Sequence, residues 1–93
     1  MTKISVMQMP DFKRAYKKLH KNQKQAVDEA IAEITENPQL GVPKKGDLTG
    51  VFVYKFLSVK QEYLLAYEFD KVSRLLLALG LHENFYRDLK RKR

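Results

Sequence analysis

A chain of 93 residues supports one domain with a core of modest size and leaves no room for a second. It holds no cysteine, which excludes a disulfide framework and a thiolate metal site. Eighteen Lys and Arg against eleven Asp and Glu leave a formal charge of +7, an excess that suits a polyanion such as nucleic acid, or an acidic protein partner.

In chain order, residues 3–9, "KISVMQM", alternate loosely about Ile4 and Val6 and predict a short strand. The N-terminal stretch is too short and polar for a signal peptide, and no apolar run reaches the length of a membrane span. A soluble cytoplasmic protein, with no membrane partner, is therefore expected. Pro10 can open a helix, because its missing N–H costs nothing there. Phe12, Ala15, Tyr16 and Leu19 then fall at i, i+3, i+4 and i+7, with Lys13, Arg14, Lys17 and Lys18 as the opposite, cationic face. "HKNQ" breaks that pattern, and Asn22 with Gln25 resembles a capping box. A second helix carries Val27, Ala30, Ile31 and Ile34 at core spacing and stops at Asn37-Pro38. Two amphipathic helices with a short joint predict a helical hairpin.

"NPQLGVPKKGDLTG" has two prolines and three glycines in fourteen residues and reads as a loop. "VFVYKFLSV" and "EYLLAYEFD" are β-branched, aromatic and alternating, as strands are. After the turn at Asp70-Lys71, "SRLLLALGL" is almost wholly apolar. It is expected at the sheet centre, buried on both faces. Short joints imply an antiparallel meander. "ENFYRDLKRKR" predicts a short helix, with Phe85 and Leu89 at i, i+4 and bases at its negative end. The predicted order is β-α-α-β-β-β-α: an α+β domain over residues 1–93, with a small antiparallel sheet, a helical hairpin on one face and a short C-terminal helix.

The chain has no Gly-rich phosphate loop, no His-x-x-x-His pair and no Cys/His cluster, so neither metal nor cofactor is expected. His20 and His82 are the ordinary acid/base candidates near neutral pH. His20, in the joint between the helices, reads as a solvated C-cap. His82 follows an apolar strand, with Glu83, Tyr86, Arg87 and Lys90 close in sequence. Cleavage of a phosphodiester at a 2′-hydroxyl needs a base, an acid and cations for the developing charge, and these residue types supply them. The residues alone leave open a capping role, a partly buried structural role and a catalytic one.

"DLTGVFVYKF", "EYLLAYEFD" and "LLLALGLHENFY" together resemble the RelE/ParE superfamily of toxins from bacterial type II toxin–antitoxin pairs. The likeness covers nearly the whole chain. It includes the proline near the first helix and the turn Lys45, Gly46, Asp47, Leu48, Thr49, Gly50. Its most specific part is Gly80 and His82 followed by Phe85 and Tyr86. The pattern is closest to the RelE, YafQ and HigB side, whose members cut mRNA on the ribosome. The resemblance implies a metal-independent endoribonuclease that arrests translation and growth. It makes His82, Tyr86, Lys55 and Lys60 the catalytic candidates and Lys44, Lys45, Arg87, Lys90 and Arg91 the nucleic-acid contacts. It also implies an acidic antitoxin, meeting Phe85 and Leu89, with ribosome and mRNA as the other partners. One departure stands out: where many relatives carry Arg after a strand Tyr, Tyr63 is followed by Leu64. That points to a His-centred mechanism, with Lys60 and Glu62 near the gap. The alternatives are a ParE-like, non-enzymatic inhibitor of DNA gyrase and a DNA-nicking toxin.

Overall fold

The computed structural model describes residues 3–81 and 85. Strand β1, Ser5–Gln8, leads into helix α1, Pro10–Lys17, and helix α2, Lys21–Glu36. A 3₁₀ turn, a two-residue strand β2 at Val42–Pro43 and a second 3₁₀ turn follow. Three longer strands complete the sheet: β3, Phe52–Ser58, β4, Gln61–Phe69, and β5, Ser73–Leu81. The strand order is β1-β5-β4-β3-β2.

The α+β class, the hairpin and the β3-β4-β5 meander match the sequence expectation, and several details do not. The sheet is mixed, because β1 pairs parallel to β5 while all other pairs are antiparallel. Its centre is β4, not β5: residues 63–67 are buried without a break. The apolar run of β5 has a different cause. A register shift opposite Ala66/Tyr67 leaves Leu77 as an extra residue, so β5 breaks its own alternation. Residues 77 and 78 then both pack on the same side of the sheet. β2 was hidden in the expected loop; its proline is tolerated because the strand is an edge. The predicted C-terminal helix lies outside the described residues apart from Phe85.

The helices cover one face. Phe12, Val27, Ala30 and Ile34 meet Tyr63, Leu65, Tyr67, Leu76 and Leu79 in one buried cluster. Burying a side chain of the size of Phe12 or Ile34 stabilises by about 1.5–3 kcal/mol, so this layer is the chief source of stability. The joint between the helices is capped at His20, two residues before the expected position. Its N–H donates to Gln23 Oε1 at 2.9 Å, which makes His20 the N-cap of α2 and not a C-cap.

Two buried polar side chains tie the end of α2 to the sheet. Arg74 is 5% exposed, and its Nε and Nη2 donate to the Thr35 carbonyl at 3.3 and 3.0 Å. Its Nη1 donates to the carbonyls of Asp70 and Ser73 at 2.8 and 2.9 Å. α2 has no base in its own last turn, so Arg74 supplies the cation that the negative helix end favours. Tyr67 Oη donates to the Pro38 carbonyl at 2.6 Å and accepts the Gly41 N–H at 2.9 Å. Burial, above all, pushes this phenol up from its ordinary value, so it stays a neutral donor. A Cβ on Gly41 would lie 2.5 Å from Tyr67 Oη.

That geometry predicts a coupled pair. Tyr67→Phe leaves the Gly41 N–H and the Pro38 carbonyl short of a partner and should cost about 1–3 kcal/mol. Gly41→Ala should also destabilise, by steric overlap. The double variant should be less unstable than the sum, because removing the hydroxyl relieves the worst contact. Urea unfolding of all four proteins tests this, and strict additivity would refute it.

Candidate functional site

The sheet face away from the helices is built by alternate residues of the three long strands. Val53 pairs with Ala66 and Ala66 with Ala78; Lys55 pairs with Leu64 and Leu64 with Gly80. A second, smaller core forms on this face from Leu48, Val51, Val53, Leu64, Ala66 and Phe85. Leu48 belongs to the 3₁₀ turn Gly46–Leu48, so the loop after β2 folds over the sheet as a cover. Phe85 is 6% exposed, and its ring lies 3.6 Å from where a Gly80 Cβ would stand.

This arrangement fixes what the sequence left open about Phe85. The residue pins the chain after β5 to the sheet, and its burial leaves little ring surface for an antitoxin. Gly80 gives the ring room, although an ordinary contact distance means that an added methyl would also fit. His82, Tyr86, Arg87, Leu89, Lys90 and Arg91 lie outside the described residues. The residues that bracket His82 are Leu81, paired with Tyr63 at the end of β5, and Phe85.

Lys55 stands at the border of the covered area. Its side chain is 60% exposed, and Nζ lies 3.7 Å from Glu62 Oε2. Its neighbour across the strand, Leu64, is only 1% exposed, so dry core gives way to solvent within one strand spacing. Lys44 and Lys45 lie on the covering loop. The Lys44 N–H donates to the Val51 carbonyl at 2.9 Å, and Lys45 precedes the 3₁₀ turn as its N-cap. Lys44, opposite Val51, and Lys55, four residues farther along the chain, therefore stand apart along β3. Sequence reasoning missed Leu48 and Val51 as the cover; the run of five buried residues in β4, which demands burial on two sides, was the available signal.

Lys60 sits elsewhere, at the tip of the β3–β4 hairpin. Val59 and Lys60 have φ of 49° and 68°, and Ser58 pairs with Gln61, a two-residue turn with both central residues left-handed. Such turns favour Asn-Gly, and a β-branched residue there is strained. Leu57 and Val59 are 70% and 53% exposed at this tip. Ser58 is buried, and its Oγ has no hydrogen-bond partner among the described residues. Also among those residues, no group of three or more His, Cys, Asp or Glu side chains is placed to hold a metal. No described helix is long and apolar enough to cross a membrane.

The family model described as a ParE-like toxin of type II bacterial toxin–antitoxin systems matches residues 6–90. Comparison with curated protein sequences finds no match. Among solved structures, the chain is similar to the toxin–antitoxin complex RelBE2 from Mycobacterium tuberculosis, with a TM-score of 0.73 and 22% identity over 87% of this chain and 100% of that one. It is similar to the intact RelBE complex of Escherichia coli, with a TM-score of 0.70 and 17% identity over 86% and 98%. It also resembles a mutant of the E. coli toxin RelE in the free state, at 0.74 and 17% over 99% and 98%.

The turn at the hairpin tip yields a prediction. A left-handed non-glycine residue costs on the order of 1–3 kcal/mol. Val59→Asn should relieve part of that and raise the melting temperature by several degrees, since about 1 kcal/mol moves a domain of this size by roughly 4–8 °C. A lowered melting temperature would show that Val59 makes packing contacts worth more than its strain.

Proposed function

We propose a function from one premise: the chain belongs to the ParE-like toxin family of type II bacterial toxin–antitoxin systems. The reading is a toxin that cuts mRNA on the ribosome without a metal and so arrests translation and growth. The observation that supports it is the row Lys55, Leu64, Gly80 on the face where Phe85 packs, which puts an exposed cation on the same face as the described residues that flank His82 in sequence.

In this mechanism the message lies across the uncovered part of the face. The His82 imidazole takes the proton from the 2′-hydroxyl, or returns one to the leaving 5′-oxygen, and Tyr86 positions or assists it. The attack breaks the P–O5′ bond and places added negative charge on the phosphate oxygens. Lys55 and Lys60 answer that charge. The ion pair of Lys55 with Glu62 is no obstacle, because exposed pairs contribute only about 0–1 kcal/mol. A phosphate can displace the carboxylate and take the lysine. Lys44, Lys45, Arg87, Lys90 and Arg91 hold the backbone on either side of the cut.

The partner that silences the toxin is an acidic antitoxin. The RelBE2 and RelBE structures are toxin–antitoxin complexes, and a charge of +7 complements such a chain. A second reading, a ParE-like inhibitor that binds DNA gyrase without chemistry, is favoured by the description of the matching family. In that case His82 has no catalytic part.

Mapping RNA ends after induction without antitoxin separates the two. The wild type should cut within coding regions, and both His82→Ala and His82→Gln should lose cutting and growth arrest while keeping the melting temperature. The proposal fails if either variant cuts at the wild-type rate. Intact messages with linearised DNA in the wild type would establish the gyrase reading instead.

A further inference from the structure

The segment from Ile4 to Pro10, "ISVMQMP", carries no charge in a chain of +7, and its strand β1 forms one edge of the sheet. The two edges are built differently. At the other edge, β2 is two residues long and contains Pro43, which blunts pairing. β1 has four residues and no proline, and all four are exposed. Helix α1 packs back over β5, so among the described residues the outer side of β1 stays open. The N–H groups of Ser5 and Met9 donate inward, to the carbonyls of Val72 and Leu76, each at 2.9 Å. Successive strand residues direct their backbone groups to opposite sides, so Val6 and Gln8 turn theirs outward.

This edge is also apolar and electrically balanced. Of the nine large apolar side chains exposed among the described residues, Val6, Met7, Met9 and Val72 stand here, Val72 being the residue whose carbonyl receives the Ser5 N–H. The charges around it cancel, with Lys3, Lys71 and Arg74 against Asp11, Glu68 and Asp70. Asp11 also pairs with Arg14, and Arg74 is spent on backbone carbonyls. β1 itself holds no cation to attract an acidic segment, whereas a strand of the same uncharged sequence meets no repulsion there. A second copy of β1 also fits in register. Antiparallel pairing about a two-fold axis at Met7 sets Val6 opposite Gln8 of the second copy and Gln8 opposite its Val6, so the outward N–H and C=O groups are exchanged. The same register carries Lys3 toward Asp11 of the second copy, and Pro10, which has no N–H, ends the pairing.

We propose that β1 is a self-association edge: it pairs antiparallel with β1 of a second copy, Met7 against Met7, and joins two five-stranded sheets into one. Met7 lies in a row with Leu75 and Glu68, on the face away from the helices, so the two methionines cover each other on that face. Lys55, on β3, is separated from this edge by β4 and β5, so pairing leaves it uncovered in both copies. The contact is short, and small interfaces form and dissociate readily, so the dimer depends on concentration.

Sedimentation of the full chain across a concentration series should show the 10.9 kDa monomer giving way to a species of twice that mass. Met7→Lys sets two like charges face to face on the axis and should keep the chain monomeric. Its melting temperature should hold, because Met7 is 49% exposed. Met7→Glu should do the same, and an equal mixture of the two variants should dimerise again. The chain has no cysteine, so Met7→Cys adds a single thiol. In a non-hydrogen-bonded antiparallel pair the Cα atoms lie about 4.5 Å apart, within the range of about 4.4–6.8 Å that a disulfide spans. Oxidation should therefore link Met7→Cys into a dimer much faster than Leu57→Cys, placed at the exposed hairpin tip. Should the charged variants misfold, that comparison decides. A monomer at the highest soluble concentration overturns the proposal, as does a dimer that survives Met7→Lys, a mixture that stays monomeric, or equal linking rates at the two positions. Protection of the Met7→Cys thiol by a polyglutamate peptide would give the edge to an acidic strand and overturn it too.

Discussion

Strand β4 must be dry on both sides, and the rest of the structure follows from that requirement. Tyr63, Leu65 and Tyr67 point to the helices, while Leu64 and Ala66 point the other way, and all five are buried. Among the described residues two α-helices, of 8 and 16 residues, are available, and both are committed to one face. The other face is closed by smaller pieces: Leu48 from a 3₁₀ turn, Val51 just after it, and Phe85 from beyond β5. That cover is large enough for Leu64 and Ala66 but stops short of Lys55 and Leu57. A margin of exposed strand residues therefore arises where the second core runs out of side chains. Its residues are held by strands, which position groups more rigidly than loops do.

The sequence made the hairpin and the meander legible because both rest on local signals. The i, i+3, i+4, i+7 stripe of α1 and the alternation of β3 each name the buried side without help from distant residues. The parallel pairing of β1 with β5 has no such signal, since the two strands lie more than sixty residues apart and nothing in "KISVMQM" specifies a neighbour. The bulge at Leu77 was equally silent. The extra residue breaks the alternation, and the side chains of β5 reach both cores, Leu76 and Leu79 one and Leu77 and Ala78 the other, so its apolar run imitates the central strand. For the site, the likeness in "LGLHENFY" points to the end of β5, and His82 and Tyr86 themselves lie outside the described residues. The i, i+4 spacing of Phe85 and Leu89 also marked Phe85 as a residue that pins the chain to the sheet, and its burial in the second core agrees.

Charge is used in two different ways in this molecule. Arg74 is internal: it is buried, and its guanidinium is satisfied by carbonyls at the end of α2 and around the β4–β5 turn. A buried cation stripped of such partners is strongly destabilising, so this one belongs to the fold. Asp70 completes the same turn by accepting from the backbone of Val72 and Ser73 and from Ser73 Oγ. Those donors hold its carboxyl below the usual carboxylate range. Most other bases are exposed, and pairs such as Lys55–Glu62 add little to stability. Among the described residues the fold itself uses few of the bases, and the formal charge of +7 gives the molecule a long-range field of one sign.

The strained hairpin tip fits this division of labour. β5 ends among the described residues at Leu81, opposite Tyr63, while β3 and β4 continue two pairs further, to Ser58 and Gln61. The β3–β4 hairpin therefore overhangs the point where the chain leaves β5 toward His82. A longer, glycine-rich loop would relieve Val59 and Lys60, but it would add freedom where a reacting phosphate tolerates displacements of well under 1 Å. A two-residue turn keeps the overhang short and stiff at a cost of a few kcal/mol at most. That cost is bearable only because the layer beneath Phe12, Ile34 and Tyr67 is well packed. The helical face thus underwrites a strained, partly uncovered corner on the other side of the sheet, and the corner lies beside the end of β5.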